Sequence, residues 1–124
     1  MSDVEHQLDL QIRLTGSLGS PAAEMKVIGE FDRLQVVRFD QVAAALPGLL
    51  VELIVDLKET TIIDSSALGA LVRLRRELDR IDAGLSVVID KPFQVTVMKV
   101  GGLFDYLGVI VEASEHTSEP SSAG

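Results

Sequence analysis

A chain of 124 residues that is 47% hydrophobic is sized for one domain with a core of its own, and with aromatics at only 4% that core has to be packed by aliphatic side chains. The lack of cysteine excludes disulfides, thiolate nucleophiles and cysteine metal sites, and it fits a cytoplasmic location. A formal net charge of −8 repels nucleic acid phosphates and anionic membranes; acidity is also a common solubility device, and it leaves room for a basic protein partner.

No apolar run reaches the roughly 18 residues of a membrane span. The start, "MSDVEHQLDL", is acidic and lacks the basic and apolar regions of a signal peptide. No internal repeat is visible. "LDLQIRL" (8–14) alternates apolar and polar residues and predicts a half-buried strand. "TGSLGSP" (15–21) has turn chemistry, and "AEMKVIG" (23–29) reads as a second strand, so the two form a hairpin.

Asp32 is placed to cap a helix, with Gln35 at the capping-box spacing. Val36, Phe39, Ala43 and Leu46 then share one face, and Pro47-Gly48 end it. "VELIVDL" (51–57) is a strand whose central apolar run suits burial on both faces. "KETT" is expected to be a short connection, followed by Ile62 and Ile63. From about Ser66, the residues Leu68, Leu71, Leu74, Leu78 and Ile81 mark a helix face, Arg75 and Asp79 are spaced to pair, and Ala83-Gly84 breaks the helix. "LSVVID" (85–90) is another buried-type strand. "KPFQVTVMKVGG" (91–102) stays open: its β-branched alternation favours strand, whereas Pro92 and Gly101-Gly102 are placed as helix start and stop. "LGVIVEA" (107–113) is a last strand, and the small, polar "SEHTSEPSSAG" is expected to be a disordered tail. Strands alternating with helices predict βαβ units and a largely parallel sheet after the hairpin.

Chemistry concentrates at "TIIDSSALG" (61–69), where a strand hands over to a helix. A serine nucleophile needs a positioned base, but the two histidines, His6 and His116, stand near the chain ends, and "DSSALG" is not a G-x-S-x-G elbow. Asp32, Asp40, Asp56 and Asp64 form no ligand-loop motif, and "GSLGSP" is no phosphate-binding loop, so neither metal nor cofactor is expected and no catalytic residue is assigned. Capping by Asp64 or Ser65 explains part of the motif, at roughly 1 kcal/mol. The other reading is a serine displayed at a helix start, where free amides would face a phosphate and Asp64 would oppose it.

Two motifs carry a family resemblance. "VIGEFD" (27–32) and "LIVDLKETTIIDSSALGALV" (53–72) resemble the STAS domain, in particular bacterial anti-sigma factor antagonists, over about residues 8–113. The resemblance implies an α/β domain with a mixed sheet, an N-terminal antiparallel hairpin and helices packed mainly on one face, and it makes 92–101 a helix. The implied division is an extension over 1–7, the STAS domain over 8–113 and the tail over 114–124. The implied function is partner switching. The unmodified antagonist binds an anti-sigma factor that is also a serine kinase, which frees a sigma factor. That kinase binds ATP and phosphorylates the first serine after the motif aspartate, Ser65 here, and a serine phosphatase restores the active form. The implied partner surface holds Asp32, Asp64, Ser65, Ser66, Leu68 and Gly69. The family often has glycine after the two serines, where this chain has Ala67. Alanine favours helix by about 1 kcal/mol over glycine, and its methyl is expected on the partner-facing side. Two other functions stand beside this one: a non-switching STAS subunit of a transport or signalling assembly, and a protein binding a small ligand or nucleotide, for which no residue speaks specifically.

Overall fold

The computed structural model describes residues 9–46, 48 and 50–112. The expected extension over 1–7, the expected tail over 114–124, Pro47 and both histidines lie outside the described residues. The elements in chain order are β1 (Asp9–Ser17), β2 (Ser20–Phe31), α1 (Arg33–Ala44), β3 (Glu52–Asp56), β4 (Thr60–Ile63), α2 (Ser65–Arg80), β5 (Gly84–Ile89), α3 (Pro92–Val100) and β6 (Val109–Val111).

The sheet runs β1-β2-β3-β5-β6, and β4 pairs with β2 off that path. Among the described residues only the β1-β2 pairing is antiparallel. Its turn is tighter than the sequence suggests. Ser17 pairs with Ser20, so Leu18-Gly19 alone make the turn and most of 15–21 is strand. After the hairpin every crossover steps one strand in the same direction. Right-handed crossovers of that kind place their helices on one face of the sheet. Met25, Val55 and Val87 stand in register across β2, β3 and β5 on that face, each fully buried. The opposite face carries charge: Arg13 pairs with Glu24, and Lys26 meets Glu59 at 3.1 Å.

Strand β4 is absent from the sequence reading, which took KETT as a connection. The long β2 explains it. Residues 22–26 of β2 pair with β3, and 29–31 pair with β4. β3 and β4 thus follow the same side of β2, separated by a short break. Gly29 absorbs the register shift at φ 104, a conformation that only glycine adopts without strain.

Three other boundaries differ. α1 ends at Ala44, before the expected stop at Pro47-Gly48. The buried face of α2 is Ala67, Ala70, Leu71, Leu74 and Leu78, while Ile81 lies beyond the helix and is 41% exposed. β6 spans only Val109–Val111, and Leu107 instead packs in the core from the preceding turn. The α2 stop is a Schellman closure: the Asp82 amide donates to the Asp79 carbonyl and the Ala83 amide to the Leu78 carbonyl. The residue held at positive φ is Asp82, at 61°, rather than the expected glycine. At the end of α3, Gly102 fills the equivalent place at φ 72. Segment 92–100 is a helix, with Pro92 first and Gln94 and Met98 buried.

Candidate functional site

Strands β2 and β4 end side by side, with Phe31 paired to Ile63. The Asp64 amide extends that ladder by donating to the Phe31 carbonyl at 3.3 Å. One residue past each strand stands an aspartate that caps a helix. The Asp32 carboxylate accepts the amides of Leu34 at 3.1 Å and Gln35 at 3.3 Å. One Asp64 oxygen accepts the Ala67 amide at 3.0 Å, so of the two capping residues the sequence leaves open, Asp64 is the one that caps α2. Its second oxygen accepts the Arg33 amide at 2.9 Å. The first amide of α1, which has no acceptor within its own helix, is therefore satisfied by the cap of α2.

Ser65 is the first residue of α2 and is exposed; Ser66 beside it is half-buried. Asp32 and Asp64 are half-buried at the same end of the domain. These four residues lie at one end of the domain, where β2 and β4 pass into α1 and α2. Gly69 lies a turn further along α2, and a Cβ there would meet only the Arg73 guanidinium, at 3.7 Å. Leu68 is half-buried and packs against the core, so its side chain is shared between surface and interior. Ala67 corrects the sequence reading. It is 0% exposed and belongs to the core, because the third helical position turns toward the sheet. Its methyl fills the interior and does not face a partner.

A buried polar network holds this end in place. Gln94 is fully buried. Its carbonyl oxygen accepts the amides of Asp90 and Lys91, each at 3.0 Å, and its amide nitrogen donates to the carbonyls of Leu57 at 2.6 Å and Thr60 at 3.1 Å. The Thr60 hydroxyl donates to the Val27 carbonyl at 2.7 Å. The Leu57 carbonyl also accepts the Thr60 amide at 3.0 Å, so the turn between β3 and β4 is closed by its own backbone and tied to the start of α3 by Gln94. Sequence reasoning missed Gln94; its one local signal is glutamine three residues after Lys91, the spacing of a capping box. Nearby, Lys91 donates to the Lys58 carbonyl, and Lys58 bonds Glu112 at 2.7 Å. That hydrogen bond, and the Asp56, Glu112 and Asp90 charges, hold the Lys58 pKa above its ordinary value against the lowering effect of burial.

The geometry bears on chemistry. Each Asp64 oxygen accepts a backbone amide, so the carboxylate is held in its capping position beside Ser65. Among the described residues no hydrogen bond links Ser65 to a basic side chain, and no group of three or more acidic or histidine side chains is disposed to hold a metal. No helix among them is long and apolar enough to cross a membrane. A groove of about 520 Å³ lies between α1 and α2, lined by Leu46, Leu74, Leu78 and Ile81 with Asp40 and Arg73 at its polar side. It is far along both helices from Ser65.

A single α/β domain, with a hairpin-led mixed sheet, three helices on one face and an exposed serine at the start of the second helix, defines the class. The STAS domain model matches residues 4–118, and the chain belongs to the STAS domain family. The fold is that of solved anti-sigma factor antagonists. The unphosphorylated form of SpoIIAA is 16% identical with a TM-score of 0.65, the match covering 92% of this chain and 98% of that one. An anti-sigma factor antagonist from Mycobacterium paratuberculosis is 19% identical with a TM-score of 0.67, over 82% of this chain and 85% of that one. The phosphorylated form of the Bacillus cell fate determinant SpoIIAA is 17% identical with a TM-score of 0.61, over 90% and 99%. None of the curated proteins matches this chain.

Proposed function

We propose that this chain is a non-enzymatic, cytoplasmic anti-sigma factor antagonist switched by phosphorylation at Ser65. Unmodified, it binds an anti-sigma factor that is also a serine kinase and so frees a sigma factor. The kinase, carrying ATP, phosphorylates Ser65 and ends the interaction; a serine phosphatase reverses it. Asp32, Asp64, Ser65, Ser66, Leu68 and Gly69 form the partner surface in this reading.

The observation that carries the proposal is the Ser65 hydroxyl, exposed at the first position of α2 in a STAS domain and flanked by an aspartate already committed to capping. A kinase can reach such a hydroxyl without unfolding anything. The phosphate adds about −1.5 to −2 charges at neutral pH beside Asp64. In the free domain the open amides of the first turn offset that charge. At a docked interface the charge has to be desolvated against a surface shaped for a hydroxyl, which weakens binding. Exposed Leu34 (77%) and Ile62 (44%), each two residues from a capping aspartate, supply apolar area for a partner protein.

The test is incubation with candidate anti-sigma factor kinases and ATP, location of phosphate by mass spectrometry, and calorimetric comparison of the two forms with the same partner. Phosphate on Ser66 in place of Ser65, or equal affinity for both forms, would overturn the switch. Unchanged binding to a partner without any phosphorylation would favour a non-switching STAS subunit.

A further inference from the structure

We infer that Arg33 is the residue that pairs with the phosphate once Ser65 is modified. The inference rests on the proposed phosphorylation of Ser65 and adds a specific residue to it.

Three observations place Arg33 there. First, its backbone amide donates to the Asp64 carboxylate at 2.9 Å, which fixes the start of α1 against the residue that precedes Ser65. Second, the side-by-side course of the two helices sets their level. Both begin at the ends of paired parallel strands, and the Asp40–Arg73 ion pair joins them at 2.9 Å further along. Two helical turns before Asp40 stands Arg33, and two turns before Arg73 stands Ser66. Arg33 therefore lies on the side of α1 that faces α2, level with the first turn that holds Ser65 and Ser66. Third, Arg33 is exposed, and among the described residues its guanidinium has no hydrogen bond or ion pair, whereas Arg73 on the same seam is already committed to Asp40.

The charges around the serine make this pairing consequential. Asp32 and Asp64 both sit at this end, and each opposes a phosphate. A guanidinium presents a planar fork that matches two phosphate oxygens. Its long stem lets it reach across the mouth of the α1-α2 seam. Phosphorylation would then exchange a free arginine and a free hydroxyl for a closed ion pair laid over the surface that the partner needs. The negative charge is added and the positive charge of Arg33 is withdrawn in one event.

The experiment needs no kinase. Phosphoserine is installed at position 65 during translation, and the second ionisation of the phosphate is followed by phosphorus NMR. Free phosphoserine titrates near 6. In Arg33→Gln the phosphate should titrate about half a unit or more higher than in the otherwise unsubstituted phosphoprotein, because a nearby cation favours the dianion. Arg33→Lys should recover part of the difference, as a charge without the fork. Arg76→Gln, on the exposed face of α2 three turns away, should leave the titration unchanged. In the unsubstituted phosphoprotein the Arg33 Nε–H resonance should move with the same midpoint. A phosphate that titrates alike with and without Arg33, an equal shift from Arg76→Gln, or an Arg33 resonance that ignores the titration would each overturn the inference. Failure of the switching function itself would show elsewhere, as a partner that binds both forms equally, whatever the phosphate titration reads.

Discussion

Asp64 accepts the backbone amide of Arg33 at 2.9 Å with one carboxylate oxygen while the other accepts Ala67 at 3.0 Å, so a single side chain caps α2 and satisfies the first amide of α1. Asp64→Ala is expected to cost about 2 kcal/mol, more than one ordinary cap, because amides of both helices lose their acceptor. Asp64→Asn keeps one acceptor oxygen and should cost about half as much. Urea unfolding of the three proteins measures this. A loss below about 0.5 kcal/mol for Asp64→Ala would mean that water replaces the carboxylate freely.

Ser65→Ala should leave stability within about 0.5 kcal/mol, since the side chain is exposed and the cap is Asp64. It should bind the partner constitutively and accept no phosphate. Ser65→Glu should weaken partner binding by about 1–3 kcal/mol, the usual size of such couplings. Ser66→Ala should still be phosphorylated. Calorimetry and mass spectrometry read these outcomes.

Gln94→Leu keeps a similar bulk but removes every bond of the buried amide. The amides of Asp90 and Lys91 lose their acceptor and the carbonyls of Leu57 and Thr60 lose the Gln94 donor together, although Leu57 still accepts the Thr60 amide at 3.0 Å. The expected cost is about 3 kcal/mol. Hydrogen exchange should speed most in β4 and in the turn before it, which is the path from the core to Ser65. A uniform loss of protection would instead make Gln94 an ordinary packing residue.

Asp82→Gly is expected to stabilise the protein by about 0.5–1 kcal/mol. Asp82 holds φ 61 in the closure after α2, a place that Gly102 fills after α3. Thermal unfolding should show a higher midpoint; a lower one would show that the aspartate side chain contributes more than its backbone costs.

Lys58 sets a pH dependence. Its pKa is raised in the folded state, first by its hydrogen bond to Glu112. A raised folded pKa contributes stability that is full below the unfolded value, 10.5, and is lost as pH rises through the folded value. The stability difference between the unsubstituted protein and Lys58→Met should therefore be constant between pH 8 and roughly 10 and shrink above that. A difference that stays flat through pH 11.5 would show that Lys58 acts only through packing.

Much of this protein is legible along the chain because the responsible contacts are local. Asp32 caps α1 through amides two and three residues ahead, and Asp64 caps α2 through the amide of Ala67, so a short polar residue before an apolar helical face marks both starts. The expected Arg75–Asp79 pair forms at 3.5 Å because i,i+4 positions are neighbours on any helix. The apolar centre of "LIVDL" depends on the period of a strand and on nothing further away; the alternation of β1 marks a strand but not the half-buried one expected, since Ile12 is 41% and Leu14 67% exposed on this edge strand.

Tertiary structure decided what depends on contacts between distant residues. β4 has four residues and becomes a strand because the far end of β2 offers it a ladder and Gln94 holds its first carbonyl. The 92–100 segment, β-branched enough to read as strand, is a helix because Pro92 and the back-bonding Gln94 start it and Met98 is buried beneath it. Ala67 proved to face the core only when the rotation of α2 against the sheet was set by packing. The bond from Arg33 to Asp64 spans 31 residues and the bond from Gln94 to Leu57 spans 37. Neither has a repeat or a period to betray it in the sequence, because a side chain meeting a remote backbone group depends on where the fold brings the chain.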